Sequence, residues 1–385
     1  MYKEKIYLDY AATTPLDGRV LEAMLPYFSG NFGNPSSIHR FGQQAEAALE
    51  SARKKIAGIL NAQIHEIIFT ACGSESDNLA LRGASLAARK ERNANHILIS
   101  PVEHHAVSKT AEQLAALHGF ELEILPIDTY GAVSAKDVTR RLRSETAVVS
   151  VMHANNEIGT INPITDIGSV CQERGIPFHT DAVQSAAHLP VDIDALNVDL
   201  LSIGAHKFYG PKGVGALYVR SGISLEASLT GGVQEFGLRA GTENIPYIVG
   251  MAEALSLVKD EYDQRDSHVK MLRDRIIGQV LETIPDVKLT GHATQRLPNH
   301  ASFIFRGVDG NNLLMLLDMA GFACSSGSAC KTGNPKPSGV LTALGFSHDW
   351  SLGSLRVTVG KDTSVNDVNA FLNTLPSIIA KERRI

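Results

Sequence analysis

A lysine that follows an apolar segment is the first residue whose surroundings suggest chemistry. Lys207 stands in "LLSIGAHKFYGPKGVGALYV", where glycines crowd it at positions 204, 210, 213 and 215. Glycine lets a backbone pass close to a ligand. A lysine partly withdrawn from water loses its charge readily and can form a Schiff base with a carbonyl group. A solvated lysine at a strand end is the commoner case, so Lys207 needs a chemical partner before it indicates a site.

A carboxylate at the end of another apolar run is such a partner. Asp181 closes "IPFHTD", where it is either the cap of a following helix or the acceptor for a cationic nitrogen. Pyridoxal 5′-phosphate (PLP) requires a Schiff-base lysine and a partner for its ring nitrogen. An aspartate and a lysine on neighbouring strand ends of one sheet therefore favour a PLP site.

The segment "TACGSESDNLAL" runs from a predicted strand into a predicted helix through Gly73 and Ser74. The first N–H groups of a helix have no partner within the helix and bind anions well, including phosphate. An ordinary helix start capped by Ser74 or Ser76 is the plain alternative, and the segment by itself does not choose between them.

Two cysteines lie in "GFACSSGSACKTGNPKP", residues 321–337. The segment has neither a helical nor a strand period, so it is predicted to be a loop. Cys330 precedes Lys331, whose charge favours the reactive thiolate. Cys324 follows the apolar "MLLDMAGFA" and is expected to pack as a small hydrophobic side chain. Their six-residue separation also leaves open a disulfide between Cys324 and Cys330.

Alternating strands and helices position these residues. The strand patterns are "EIIFTA", "HILIS", "LEILPI", "AVVSVMH", "IPFHTDA", "VDLLSIGA" and "GALYVR", and helical patterns cover 42–60, 75–91 and 106–117. Such alternation predicts a doubly wound, mostly parallel α/β sheet, which binds ligands beyond the carboxyl ends of its strands. A long helical pattern over 247–285 leads to later strands in "NHASFIFRG" and "SLRVTVG". We expect a large domain over 15–260 and a small α+β domain built from 1–14 and 261–385.

The composition narrows the class of protein. The chain has 385 residues, 44% of them hydrophobic, and a net charge of −5 without a dense Lys/Arg run. This size suggests two domains, and the charge argues against nucleic acid as a partner. We find neither a signal-peptide pattern nor an apolar run long enough to span a membrane. Four cysteines without a C-x-x-C pair argue against a disulfide scaffold and a metal site, and a reducing cytoplasm fits best.

Several motifs together resemble the NifS/IscS-type cysteine desulfurases. These are PLP enzymes of the class V aminotransferase family, with the aspartate-aminotransferase fold (fold type I). The motifs occur in family order over nearly the whole chain: "YLDYAATTP", "NFGNPSSIH", "ESDNLAL", "VEHHAV", "MHANNEIGT", "HTDAVQS", "AHKFYGPKGVGALYV", "LRAGTEN" and "SSGSAC". The resemblance implies a seven-stranded, mostly parallel sheet between helices and a smaller domain that carries the catalytic cysteine loop.

The resemblance also assigns site residues. Three are implied to be catalytic: Lys207, which binds PLP, His104, which stacks on its ring while His105 faces away, and Cys330, which accepts sulfur. The other implied cofactor-binding positions are Gly73, Ser74, Asn156, Asp181, Gln184, Gly204, His206 and Thr242. Thr242 is implied to reach the phosphate of a partner subunit in a homodimer. Arg356 is implied to bind the substrate carboxylate, a bidentate task that suits a guanidinium, and Asn156 is implied to contact the substrate as well.

Departures from the family pattern concern binding and partners. Gly204 stands where many relatives have a serine that contacts phosphate, and Phe236 stands where many have arginine. Val233 interrupts what is often a triple glycine. The chain ends soon after "SIIAKERRI", without the longer tail that helps Isc-type members dock a cluster scaffold, so the sulfur acceptor stays open.

The implied reaction converts L-cysteine to L-alanine and leaves a persulfide on Cys330. The sulfur then passes to an acceptor protein such as an Fe–S scaffold, or to a tRNA-thiolation or cofactor pathway. The alternatives are a selenocysteine lyase, another class V aminotransferase, or a non-enzymatic PLP-binding scaffold. An aminotransferase has no use for Cys330, and the intact site residues argue against a scaffold.

Overall fold

The computed structural model describes residues 5–327 and 337–383, so Cys330 and Lys331 lie outside the described residues. The strands are β1 (Ile6–Tyr7), β2 (Ile67–Thr70), β3 (His96–Ile99), β4 (Glu121–Ile124), β5 (Thr146–Ser150), β6 (Phe178–Asp181), β7 (Leu200–Gly204), β8 (Gly215–Val219), β9 (Val287–Leu289), β10 (His300–Phe305), β11 (Phe322–Ala323) and β12 (Ser354–Thr358). The helices are α1 (Gly18–Met24), α2 (Pro26–Ser29), α3 (Arg40–Leu60), α4 (Gly73–Arg92), α5 (His105–His118), α6 (Ala135–Arg141), α7 (Ile164–Glu173), α8 (Ile193–Leu196), α9 (Ile245–Asp260), α10 (Tyr262–Thr283), α11 (Gly310–Ala320), α12 (Gly339–Ala343), α13 (His348–Ser351) and α14 (Val365–Glu382).

A seven-stranded sheet forms the centre of the fold. Its strand order is β2-β8-β7-β6-β5-β3-β4. The pairs from β7 through to β4 are parallel, whereas β8 pairs antiparallel with both β2 and β7. All seven predicted strands are present, and the predicted fold class, a mostly parallel α/β sheet, is confirmed.

Helices cover both faces of this sheet because its strands are apolar on both sides. On β2, Ile67 and Phe69 pack into a core with α3 and α9, while Ile68 packs into a second core with α4 and α5. In α3, buried side chains recur at Ala45, Leu49, Ala52 and Ile56, the helical period expected of an amphipathic helix. Both faces of the sheet are therefore buried, and a ligand can reach it only at its edges and strand ends.

The parallel strands bring the predicted site residues to one edge of the sheet. Asp181 is the last residue of β6, and β7, its neighbour, runs parallel to it and ends just before Lys207. His104 precedes α5 on the way out of β3, and Gly73 opens α4 after β2. This is the edge at which doubly wound sheets bind ligands.

A second apolar core lies around a three-stranded antiparallel sheet of order β12-β10-β9. Helices α10, α11 and α14 contribute to this core, and Leu8 from the chain start packs into it. Strand β1 pairs in parallel with β11 beside it. We propose on this basis that the small domain combines 1–14 with 261–385 and that the large domain covers 15–260.

Two local expectations need correction. The long helical pattern over 247–285 is two helices, because α9 ends at Asp260 and α10 begins at Tyr262, with Glu261 outside helical geometry between them. Phe322 and Ala323, predicted as loop, form strand β11, since β1 offers a pairing edge. Across residues 5–327 and 337–383, no helix is both long and apolar enough to cross a membrane.

Candidate active site

A cavity of about 300 Å³ opens at the carboxyl edge of the large sheet. It is lined by Ala11, Ala12, Cys72, Gly73, Ser74, Asp77, His104, Met152, Asn156, Asp181, Val183, Gln184, His206, Lys207 and Arg356. Residues from seven separate chain regions thus meet at one place, and nine of them were predicted from the sequence.

Lys207 has its amine inside this cavity. Its Nζ donates to the backbone oxygens of Ala11 and Ala12 at 2.6 and 2.8 Å. Burial, with a smaller contribution from the nearby Arg356, lowers the pKa of Lys207 from 10.5 to about 8. Near neutral pH an appreciable fraction of the amine is therefore uncharged, which is the form that attacks a carbonyl.

Asp181 is almost fully buried across the cavity. Its Oδ1 accepts the Val183 N–H at 2.9 Å, which is the hydrogen bond of a capping residue. The same carboxyl lies in the cavity, where a partner for the cofactor is expected, so Asp181 fits both interpretations. Burial raises the pKa of Asp181, while His104 and Lys207 act in the opposite direction. A cationic ring nitrogen placed against this carboxyl would supply the opposite charge that stabilises its ionised form.

His104 caps helix α5 through its ring. Its Nδ1 accepts the Ala106 N–H at 3.1 Å, so the neutral ring carries its proton on Nε2. Burial, with help from Lys207, lowers the pKa of His104, and Asp181 opposes the shift. A neutral His104 with an Nε2 proton suits packing against an aromatic ring and exchange of a proton.

A buried network behind Asp181 was not anticipated from the sequence. Asp77 lies 3.5 Å from His179 (Oδ1 to Nε2), and His179 also contacts the Ser150 and Ser202 hydroxyls at 2.8 and 3.0 Å. Burial and the nearby Asp181 raise the pKa of Asp77, whereas burial lowers the pKa of His179 to about 3. The network thus sets a neutral imidazole against Asp77, which itself lines the cavity. The position of Asp77 could have been predicted from the sequence, because Asp77 follows Gly73 by one helical turn and therefore lies on the same face of α4.

The N-terminus of α4 forms one end of the cavity. A Cβ on Gly73 would approach Val183 Cγ2 to 2.6 Å, so glycine is needed for this close approach. Ser74 lies in the first turn and Cys72, rather than Ser74 or Ser76, is the N-cap residue. The helix thus directs its first N–H groups toward the cavity, as an anion site requires.

His206 lies beside this end of the cavity. Its Nδ1 is 3.1 Å from Thr13 Oγ1, and burial lowers its pKa to about 4. The ring is therefore neutral at physiological pH, so any phosphate contact it makes is a hydrogen bond from an uncharged imidazole.

Two amide side chains complete the opposite wall. Gln184 donates from Nε2 to Ala11 O at 2.9 Å. Of the two asparagines in "ANNE", Asn155 is buried and accepts the N–H groups of Glu157 and Ile158. Asn156 instead reaches the cavity, which is the placement expected for the cofactor-facing member of the pair.

Arg356 enters the cavity from the small sheet. Its Nη1 donates to Asn156 O at 2.9 Å and its Nη2 pairs with Asp9 Oδ1 at 2.8 Å. Its buried Nε has no hydrogen-bond partner among the described residues. Backbone bonds between Arg356 and Ser325 also fix the start of the cysteine segment beside this arginine.

Two of the predicted site residues that the structure describes, Gly204 and Thr242, are not among the residues that line this cavity. Gly204 is buried at the end of β7, where a Cβ would come within 3.4 Å of Gly73 N. Thr242 is exposed and lines a second cavity, and Cys330 lies outside the described residues. Cys324 packs against the small-domain core, and burial raises the pKa of its thiol, as expected of a packed rather than a reactive cysteine.

Comparisons with known proteins now add to this geometry. The aminotransferase class-V model matches residues 6–371. The cysteine desulfurase IscS of Dictyoglomus turgidum is 48% identical over 100% of this chain and 96% of its own length. The chain belongs to the NifS/IscS-type cysteine desulfurases of the class V aminotransferase family.

Further members of the family agree with this assignment. The cysteine desulfurase IscS of Methanosarcina thermophila is 46% identical over 99% of this chain and 93% of its own. Among solved structures, a NifS-like protein matches with a TM-score of 0.91 and 33% identity, covering 98% of this chain and 100% of its own. SspA, solved in complex with cysteine, matches with a TM-score of 0.82 and 36% identity over 93% and 99% of the two chains.

PLP is the cofactor of this desulfurase family, and the cavity fits it. A helix N-terminus with a glycine at its closest approach suits the phosphate, and the buried Asp181 suits the ring nitrogen. Lys207 supplies an amine with a lowered pKa in the same space. The donor set therefore matches each chemical part of PLP.

Proposed function

We propose that this chain uses PLP to convert L-cysteine to L-alanine and transfers the sulfur to its own Cys330. The observation that carries the proposal is the meeting of Lys207, Asp181, His104 and Arg356 around one cavity. This set combines a carbonyl-reactive amine, a ring-nitrogen partner, a proton carrier and a carboxylate clamp.

The chain's own residues have distinct tasks in this reaction. When bound, PLP supplies an electron sink for the charge left at the substrate Cα. Lys207 holds the cofactor and later moves the Cα proton, a task that suits an amine with a pKa of about 8. His104 packs against the ring and exchanges a proton through Nε2. Arg356 binds the substrate carboxylate, and its place in the lining of the cavity supports this role.

The remaining predicted contacts hold the cofactor in place. Gly73, Ser74 and His206 bind the phosphate, and Gly204, at the end of β7, lacks the hydroxyl that many relatives supply at this position. Asn156 and Gln184 contact the hydroxyl side of the ring, and Asn156 also contacts substrate. These roles are supported by the positions of the side chains around the cavity.

The sulfur step balances with one enzyme thiol. The Cβ–S bond of cysteine breaks, an S–S bond to Cys330 forms, and cysteine plus thiol becomes alanine plus persulfide. Cys330 is the proposed nucleophile because Lys331 follows it and favours the thiolate. Cys324 is the weaker candidate, since its burial raises the pKa of its thiol.

A single-turnover experiment tests this proposal. Wild-type enzyme given one equivalent of cysteine should release alanine and gain the mass of one sulfur atom on Cys330. Cys330→Ser should retain PLP but release no alanine, whereas Cys324→Ser should retain most of its activity. Sulfur found on Cys324, or full turnover by Cys330→Ser, would reject the assignment.

The partners follow from the same chemistry. We propose a homodimer in which Thr242 of each chain contacts the phosphate bound by the other. Three exposed phenylalanines support an interface: Phe32 stacks on Phe41, and Phe28 contacts the partly buried Tyr247. We also propose a sulfur-acceptor protein such as an Fe–S scaffold, and a cytoplasmic location where the free thiols stay reduced.

A further inference from the structure

Two consecutive residues near Thr242 have an unusual backbone. Glu235 and Phe236 adopt φ angles of +48° and +59°. Non-glycine residues avoid this left-handed region, and when such residues occur there the surrounding structure must hold them. The strain lies in the 229–241 loop, which we define as residues 229–241 and which directly precedes Thr242.

A buried ion pair holds this strained segment. Glu235 binds Arg53 through both carboxylate oxygens, at 2.7 Å to Nη1 and 2.9 Å to Nη2. Glu235 also accepts the Phe69 N–H at 2.8 Å, and Arg53 donates to Ile67 O at 2.6 Å. Both side chains are almost fully buried. The pair therefore fixes the loop to strand β2, the strand that leads into the phosphate end of the cavity.

A second ion pair fixes the same loop at its other end. Arg239 donates from Nε to Glu75 Oε1 at 2.8 Å, while Glu75 Oε2 accepts the Ala71 N–H at 2.7 Å. Glu75 lies in the first turn of α4, next to the proposed phosphate contact Ser74.

The loop is also closed on itself. Ala240 N donates to Leu229 O at 3.2 Å, and Gly241 N donates to Gln234 Oε1 at 3.2 Å. The residue that follows this closed and doubly anchored loop is Thr242. A loop with so many restraints presents its next residue in a defined direction.

We propose that Arg53 and Glu235 are positioning residues that fix the 229–241 loop so that Thr242 meets the cofactor phosphate of the other subunit. This inference rests on the proposed function, in which Thr242 acts across the dimer. In each chain, β2 and Glu75 connect the helix that binds that chain's own phosphate to the 229–241 loop. The Thr242 that follows this loop then contacts the phosphate in the cavity of the partner subunit.

Mixed dimers with one Lys207 test the proposal. In the first arrangement, a chain carrying Lys207→Ala and Glu235→Gln pairs with a wild-type chain, so the altered loop serves the cavity that keeps Lys207. In the second, a Glu235→Gln chain pairs with a Lys207→Ala chain, so an unaltered loop serves that cavity. The readout is the PLP dissociation constant, measured from pyridoxyl label on Lys207 after borohydride reduction.

We expect the dissociation constant to rise about tenfold in the first arrangement, the effect of one weakened charge-assisted hydrogen bond. In the second arrangement it should stay within about twofold. Glu50→Gln is the matched control, because Glu50 pairs with the same Arg53 at 3.2 Å from an exposed position and does not contact the loop. This control should leave both arrangements unchanged.

Thr242→Ala in the same two arrangements separates the two proposals. If Thr242→Ala weakens PLP only in the first arrangement and Glu235→Gln does not, the positioning role is wrong while the role of Thr242 stands. If Thr242→Ala fails to act across the dimer, both are wrong. Weakening by Glu235→Gln in the second arrangement alone would also overturn the inference. Should Glu235→Gln chains fail to fold, Arg239→Gln removes the outer anchor and is expected to give the same pattern.

Discussion

The reactivity of the single residue Lys207 toward aldehydes should depend on pH. Its amine attacks aldehydes when neutral, so reactivity rises as pH increases through its pKa. Because burial and Arg356 lower that pKa to about 8, half-maximal labelling of the PLP-free protein at Lys207 should occur near pH 8. Labelling with formaldehyde and cyanoborohydride, followed by peptide mass spectrometry, measures this midpoint. Arg356→Gln should move the midpoint to higher pH, and an unchanged midpoint would show that Arg356 does not act on Lys207.

A second prediction for a single residue concerns Arg356 and the KM for cysteine. Arg356→Gln should raise the KM for cysteine roughly ten- to hundredfold, because it removes a charge-assisted bond to the carboxylate of about 1.5–3 kcal/mol. PLP binding should change little. Asp9→Asn is the control, since it removes the ion-pair partner at 2.8 Å but keeps the guanidinium, and its KM should rise less. Loss of PLP at unchanged KM would instead make Arg356 a structural residue.

Among the elements, the close packing of α4 against Val183 is expected to govern PLP binding, because the start of α4 is the proposed phosphate site. Gly73→Ala should weaken PLP binding about tenfold or more, because the new Cβ would lie 2.6 Å from Val183 Cγ2 and must displace the helix start. Equilibrium titration of PLP-free protein measures the effect. Gly58→Ala is a matched control at an exposed position of helix α3, with nothing within 4 Å of the new Cβ. It should leave PLP affinity unchanged and stabilise the fold by about 0.5–1 kcal/mol.

At the scale of the whole molecule, exposed apolar side chains predict self-association. Phe32 and Phe41 stack with ring centroids 5.5 Å apart although both are more than half exposed. Replacing both by serine should increase the monomer fraction in sedimentation velocity, because apolar area buried in the dimer is lost. Met319→Ser, at an even more exposed position on α11, should leave the dimer intact. An equal response of both variants would place the interface elsewhere.

Local patterns in the amino-acid sequence were enough to predict the strands of the large sheet and the polar residues at their ends. Apolar runs and residue chemistry are local signals, so Lys207, Asp181 and the start of α4 could be located without a structure. The break between α9 and α10 at Glu261 and strand β11 were not predicted, because each depends on a partner element rather than on a local pattern.

The distant residues that contact these groups could be identified only from the folded chain. The Ala11 and Ala12 carbonyls reach Lys207 across 195 or more positions of the chain, and Asp9 reaches Arg356 across 347. Asp77 and His179 meet beneath Asp181 because α4 packs on the sheet. Such contacts depend on how the helices and both sheets pack, and packing brings together side chains whose separation along the chain carries no periodic signal.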